Sequence, residues 1–194
     1  MLLTFSEAGP GIGIPYDRSE RPDGTNHGYI DLKRSPESIH SIPELKGYPE
    51  LFRFIEDANR DESVFRTAGC AVSISAGDGG NYIHNSFIHL LFEILHWNTS
   101  PTCYRLLFEE FRDRMARQEN RLAHASVLFS LGPTSFWQHG FDGCSLRVFV
   151  EGRGQSEAMA RDNWQSALVS LSLFLRDFSA AYQPQLQNCL RRVS

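Results

Sequence analysis

Three side chains that could hold a metal ion occur close together near the middle of the chain. His89, Glu93 and His96 lie in the segment "YIHNSFIHLLFEILHW". In a helix, spacings of four and three residues place all three on one face, a geometry that can hold a metal. In a strand, His89 and Glu93 share one face and His96 points to the other. The strand therefore predicts no metal site, and a half-buried hydrogen bond between His89 and Glu93 becomes the simpler interpretation.

The pattern of apolar residues alone does not decide between strand and helix for residues 81–97. Alternating apolar residues, as in Ile88 and Leu90, fit a strand, while Ile88 and Leu91 begin a helical stripe. The preceding "AGDGGN" is a strong turn signal that follows the β-branched run "FRTAGCAVSISA". A hairpin explains both features, so we predict a strand, with a helix as the alternative.

Other candidate motifs for catalysis or cofactor binding have simpler explanations. "GPGIG", at residues 9–13, precedes no helical pattern and no Lys-Ser/Thr pair, so it indicates a turn and not a phosphate loop. No GxSxG motif is present. The cysteines form no CxxC pair, which favours reduced, mostly buried thiols; they are Cys70, Cys103, Cys144 and Cys189. We therefore assign no catalytic residue and no cofactor, and predict that the protein is not an enzyme.

The segment "GPTSFWQHGFDG", residues 132–143, is too long and too aromatic for a tight hairpin connection. In one interpretation its aromatic rings fold back onto the sheet as a small core. In the other, its three glycines permit sharp bends and the rings are displayed as a recognition loop, since tryptophan often dominates binding energy. We expect display, and the candidate partner-binding residues are Phe136, Trp137, His139, Phe141 and Asp142.

A second candidate surface is acidic. The stretch "IEDANRDE", residues 55–62, is explained by a solvated helix end, or it forms a landing patch for a basic partner. The acidic residues of this patch are Glu56, Asp57, Asp61 and Glu62.

The positions of these candidate residues depend on an order of strands and helices that occurs twice in the chain. From residue 66 to 182 the chain is predicted to form strand, strand, helix, and then strand, strand, helix again, with helices opening at Pro101 and near Glu157. An antiparallel sheet with both helices packed on one face, the α+β class, is the expected architecture. Short helices are predicted from Ser35 and from Pro49.

Length and composition are those of one globular domain. The chain has 194 residues, of which 41% are hydrophobic and 22% charged. We divide it into an irregular segment (1–34), short helices (35–64), the core (66–182) and a tail (183–194). The N-terminal segment is expected to wrap an edge or the open face of the sheet, with "LLTF" or "GYIDL" as a short edge strand.

Charge and hydropathy exclude several classes of partner. The formal net charge is −4, which disfavours nucleic acid and anionic membranes and favours a basic protein partner. No apolar run is long enough to span a membrane, and "MLLTF" lacks the basic start and length of a signal peptide. We therefore expect a cytoplasmic protein that is a monomer or a homodimer.

In general character, residues 66–182 resemble the bacterial immunity proteins that neutralise secreted antibacterial toxins, such as those of type VI secretion: small, mildly acidic α+β domains without a catalytic signature. The resemblance implies an inhibitor that covers the active site of a cognate toxin, often a nuclease or another basic enzyme. Two alternatives stay open. One is a small metal-binding protein or enzyme built on His89, Glu93 and His96, and the other is an assembly subunit that associates through the aromatic segment.

Overall fold

The computed structural model describes residues 1–18, 27–77, 80–117 and 122–190, with side chains as far as residue 184. The strands are β1 (Leu2–Ser6), β2 (Ile12–Ile14), β3 (Phe65–Ala76), β4 (Tyr82–Phe92), β5 (Ala125–Phe136) and β6 (Phe141–Gly154). The α-helices are α1 (Pro49–Ala58), α2 (Pro101–Ala116) and α3 (Glu157–Leu190). Short 3₁₀ helices occur at Pro36–Ser41, Pro43–Leu45 and Leu95–Thr99.

Within these residues the strands form one six-stranded sheet in the order β1-β5-β6-β4-β3, with β2 also paired to β5. The four long strands are antiparallel, as predicted, and β4 is a strand and not a helix. The N-terminal segment, predicted to be irregular apart from one short edge strand, contributes two strands, β1 and β2, which both run parallel to β5. "LLTF" is therefore the edge strand, and "GYIDL" is not a strand.

All three helices share one hydrophobic core on one face of the sheet. The alternation of β6 points Leu146, Val148 and Val150 toward them, because successive strand residues face opposite sides. The long helix α3 lies closest to the sheet and buries Trp164 completely, with its indole N–H donating to the Ser86 hydroxyl at 2.9 Å. The predicted α+β arrangement, with helices on one face, is confirmed.

The helix ends follow local chemistry, with one exception. Prolines occupy the first turns of α1 and α2, and the Ser100 hydroxyl caps α2 by accepting from the Thr102 N–H at 3.2 Å. The predicted tail was wrong over residues 183–190, because α3 continues past Pro184 to Leu190. Pro184 has no N–H to donate to the carbonyl of Ala180, four residues earlier. Because Ala180 is exposed, water can donate to that carbonyl instead, and the helix continues.

No helix in the described part of the chain combines the length and the apolar character needed to cross a lipid bilayer.

Candidate protein-binding surface

The aromatic segment at residues 132–143 is the end of a long hairpin. β5 and β6 stay in register from Ala125 opposite Gly152 to Phe136 opposite Phe141, so only residues 137–140 form the turn. The expected long connection is therefore wrong. Gly140, with φ of +67°, is the glycine that allows the chain to reverse. A Cβ at Gly132 would lie 2.7 Å from the Pro10 carbonyl oxygen, so that glycine permits close backbone packing and not a bend.

Some of the aromatic side chains pack into a small core, and one is displayed on the surface. Phe136 is buried, and its ring stacks on the half-buried ring of Phe141 with centroids 4.6 Å apart. On the sheet face opposite the helices, Phe136 joins a second, smaller core with Ile14, Ala68 and Leu91. These phenylalanines hold the hairpin end in place and are not displayed.

Trp137 is displayed, with 64% of its surface exposed. Its backbone N–H donates to the Ile14 carbonyl at 3.0 Å, which ties the turn to β2. Its indole lies against Gly13, where any Cβ would overlap the ring. Gly13, the last glycine of "GPGIG", therefore supports this tryptophan ring. A large ring with a fixed backbone and a fixed support loses little entropy when it binds.

The hairpin tip also carries polar groups. His139 is exposed, and its backbone N–H donates to the Phe136 carbonyl at 3.0 Å, as does the N–H of Gly140 at 2.9 Å. The exposed Asp142 accepts a hydrogen bond from the Ser135 hydroxyl at 2.6 Å. The tip thus presents an exposed indole, an exposed carboxylate and an exposed imidazole whose ring centroid lies 6.5 Å from that of Phe141.

The acidic stretch lies at the same end of the sheet. β3 starts there at Phe65, opposite Phe92, and the hairpin tip extends beyond the Leu90–Leu146 pair. Arg60 partly neutralises the stretch, with its Nη2 2.8 Å from an oxygen of Asp57 and 3.9 Å from one of Glu56. Asp61 and Glu62 are exposed. Asp57 and Glu62 also line a cavity of about 260 Å³ between α1 and α3.

The three candidate metal ligands, His89, Glu93 and His96, do not form one site. Buried His89 shares a hydrogen bond with the Ser145 hydroxyl, with 2.6 Å between Nε2 and Oγ, and Glu93 pairs with Arg66 at 2.8 Å. The expected His–Glu hydrogen bond is therefore replaced by two other partners, and His96 is exposed on a 3₁₀ helix. Among the residues that the structure describes, no three His, Cys, Asp or Glu side chains are grouped to hold a metal ion.

Burial determines the protonation of the groups that could act as nucleophiles or bases. It raises the pKa of the Cys70 thiol to about 12 and that of Cys144 to about 11, so both stay protonated near neutral pH. Burial, with a smaller contribution from the cationic Arg147, lowers the pKa of His89 to about 3. His89 is therefore a neutral hydrogen-bonding group of the sheet across the physiological range.

Comparisons of the chain with protein-family models, with curated proteins and with solved structures find no match.

Proposed function

We propose that this protein binds another protein through the tip of the β5–β6 hairpin and acts as an inhibitor. The observation that carries the proposal is the exposure of Trp137 on a rigid support. Tryptophan is highly buried on average, and it is enriched among the few residues that supply most of the binding energy at interfaces. Exposed polar neighbours such as His139 and Asp142 fit the polar rim of such an interface.

The acidic residues give this surface a preferred class of partner. Asp61 and Glu62 lie at the same end of the sheet as the tip, and the chain as a whole has a net charge of −4. Charge of one sign near an interface speeds encounter with a partner of the other sign. The proposed partner is therefore a basic protein, and the resemblance to immunity proteins makes a cognate toxin in the bacterial cytoplasm, such as a nuclease, the specific proposal.

The test starts from affinity capture of the tagged protein in its native cell, followed by purification of the stoichiometric partner. Calorimetric titration then compares wild type with Trp137→Ala. Removal of the Trp137 ring is expected to weaken the binding free energy by at least about 2 kcal/mol, which raises Kd roughly 30-fold. Val169→Ala is the control, because Val169 is 47% exposed on α3 and belongs to neither the hairpin tip nor the acidic stretch.

Inhibition is measured separately. Expression of the partner alone should arrest growth, and co-expression of wild type should restore growth better than Trp137→Ala does. Equal affinity of wild type and Trp137→Ala would refute the role of the tip. A captured partner that is not toxic would refute the immunity function while leaving the binding function intact.

A further inference from the structure

A second exposed apolar surface lies along the free edge of β3, at the far end of the sheet from the hairpin tip. β3 is the last strand in the sheet order and, within the described residues, pairs only with β4. Its last four residues, 73–76, are all exposed. The outer backbone N–H and C=O groups of such a strand can pair with another strand.

This edge lacks the features that normally prevent pairing. Residues 67–77, "TAGCAVSISAG", contain no charged residue and no proline. The β-bulge of the strand lies between Thr67 and Gly69, where the Tyr16 hydroxyl also donates to the Ala68 carbonyl. Residues 69–72 beyond it are half-buried, so the exposed part of the edge is residues 73–76. The opposite edge strand, β1, has only five residues and is followed by the ion pair of Glu7 with Arg105 at 2.6 Å.

An apolar patch continues from this edge on the helix side of the sheet. Ile74 is 40% exposed, Tyr82 37% and Met159 47%. Ile74 pairs with His84, two residues along β4 from Tyr82, so both side chains face the helices. Tyr82 pairs with Gly154, where an added Cβ would lie 2.6 Å from the Met159 Cβ. The patch is therefore contiguous across β3, β4 and the start of α3.

We propose that two copies of this chain associate through their β3 edges, antiparallel and related by a two-fold axis near Ile74. Such a pairing joins two sheets into one and keeps the helices of both copies on the same side. Each copy then brings its own Ile74 to the junction, with Tyr82 one strand behind it on β4. Apolar residues of one strand meet apolar residues of the other on the helix side, and Ser73 and Ser75 meet serines on the other side.

A second copy fits this edge better than a foreign extended segment. The edge carries no charge, so two copies meet without like-charge repulsion although each chain has a net charge of −4. A foreign strand would supply only backbone pairing at this edge, whereas a second copy also places an uncharged edge and a second Ile74 against the first. The interface is independent of the proposed partner site, because Trp137 lies at the other end of β6.

The test is sedimentation velocity from about 1 to about 100 µM, the range in which modest interfaces dissociate. Wild type is expected to shift from monomer to dimer. Ile74→Lys places a cation on the edge opposite the same cation of the second copy, and is expected to raise the dimer Kd at least about tenfold. Leu106→Lys, at a site 44% exposed on α2, is the matched control and should keep the wild-type behaviour.

Hydrogen exchange locates the interface. Amides of residues 71–76 should gain protection with concentration in wild type and lose that gain in Ile74→Lys. Ser75→Glu adds charge at the same edge without touching the apolar patch, and serves if Ile74→Lys fails to fold by circular dichroism. A wild type that stays monomeric at the highest concentration overturns the proposal. A dimer that still forms in Ile74→Lys and Ser75→Glu also overturns it. The same holds for a dimer that Trp137→Ala dissociates, and for assembly that continues beyond two copies.

Discussion

At the scale of single residues, Asn98 joins three elements through one fully buried amide. Its Oδ1 accepts from the Phe92 N–H at 2.9 Å and from the Tyr104 hydroxyl at 2.5 Å. Its Nδ2 donates to the carbonyl of Phe92 at 2.9 Å and to that of Leu95 at 3.2 Å. The end of β4, the following 3₁₀ helix and α2 therefore meet at this side chain.

We predict that Asn98→Ala lowers the free energy of unfolding by about 3 kcal/mol, because it leaves buried donors and acceptors without partners. Urea unfolding followed by circular dichroism measures the change. The control is Asn163→Ala, which removes one exposed hydrogen bond to the Arg153 carbonyl and should cost well under about 1 kcal/mol. Similar losses in the two variants would show that the Asn98 network contributes little.

Only part of the aromatic segment at residues 132–143 could be interpreted correctly from the sequence. The aromatic density of residues 132–143 marks the segment as unusual, and Trp137 is displayed there as expected. The packing of Phe136 and Phe141 into a small core is one of two interpretations of the segment. The sequence could not single it out, because it depends on β2, whose three residues lie far away in the sequence and carry no strand pattern. The missed signal is the glycine spacing in "GPGIG", which permits close contact with the hairpin.

At the scale of elements, α3 and β6 pack unusually closely. A Cβ at Gly152 would overlap the backbone nitrogen of Trp164 and the carbonyl oxygen of Ala160. The helix backbone thus rests directly on the strand at this point, and that contact positions Trp164 against Ser86 and His84.

We predict that Gly152→Ala forces α3 away from the sheet and lowers the free energy of unfolding by about 3 kcal/mol. The near-ultraviolet circular dichroism of buried Trp164 should change with it. Gly11→Ala is the control, since its Cβ would meet only Pro133 at an ordinary 3.5 Å. An unchanged stability of Gly152→Ala would mean that the contact between helix and strand can adjust at little cost.

The elements also differ in how far their own sequences determine them. β3, β4, α1 and α2 follow local signals: β-branched runs beside a glycine-rich turn, and prolines that start helices. β2 has no such signal, and "LLTF" of β1 is only one of two candidates for an edge strand. Short parallel strands form only through pairing, here with β5, which lies more than a hundred residues away in the chain. The sheet order and these parallel pairs therefore could not be predicted from local patterns.

At the scale of the whole molecule, the two proposed surfaces lie at opposite ends of one sheet. The hairpin tip projects from one end, and the β3 edge with Ile74 and Tyr82 lies toward the other. A dimer formed through the edges would leave both tips free, so each dimer could bind two partners. The sheet and its helix layer keep the two sites at a fixed distance.

The stability of the whole molecule should depend on pH through its buried histidines. His84 packs between Trp164 and Tyr48, and burial, together with the nearby Arg161, lowers its pKa, while the pKa of His89 falls to about 3. An unfolded histidine has a pKa of about 6.5. Below that pH the unfolded chain takes up protons that the native state does not, so the free energy of unfolding falls as the pH falls.

We predict that His89 alone removes about 2 kcal/mol of stability between pH 7.5 and pH 5.0, since each pH unit below about 6.5 costs up to about 1.4 kcal/mol. Urea unfolding at both pH values measures the loss in wild type and in His89→Gln, whose amide can still bond Ser145. The variant should be less stable at pH 7.5 but lose about 2 kcal/mol less on acidification. His96→Gln, at an exposed site, is the control and should follow wild type. An equal loss in wild type and His89→Gln would show that His89 is not the group that couples folding to protons, and would leave His84 to account for the pH dependence.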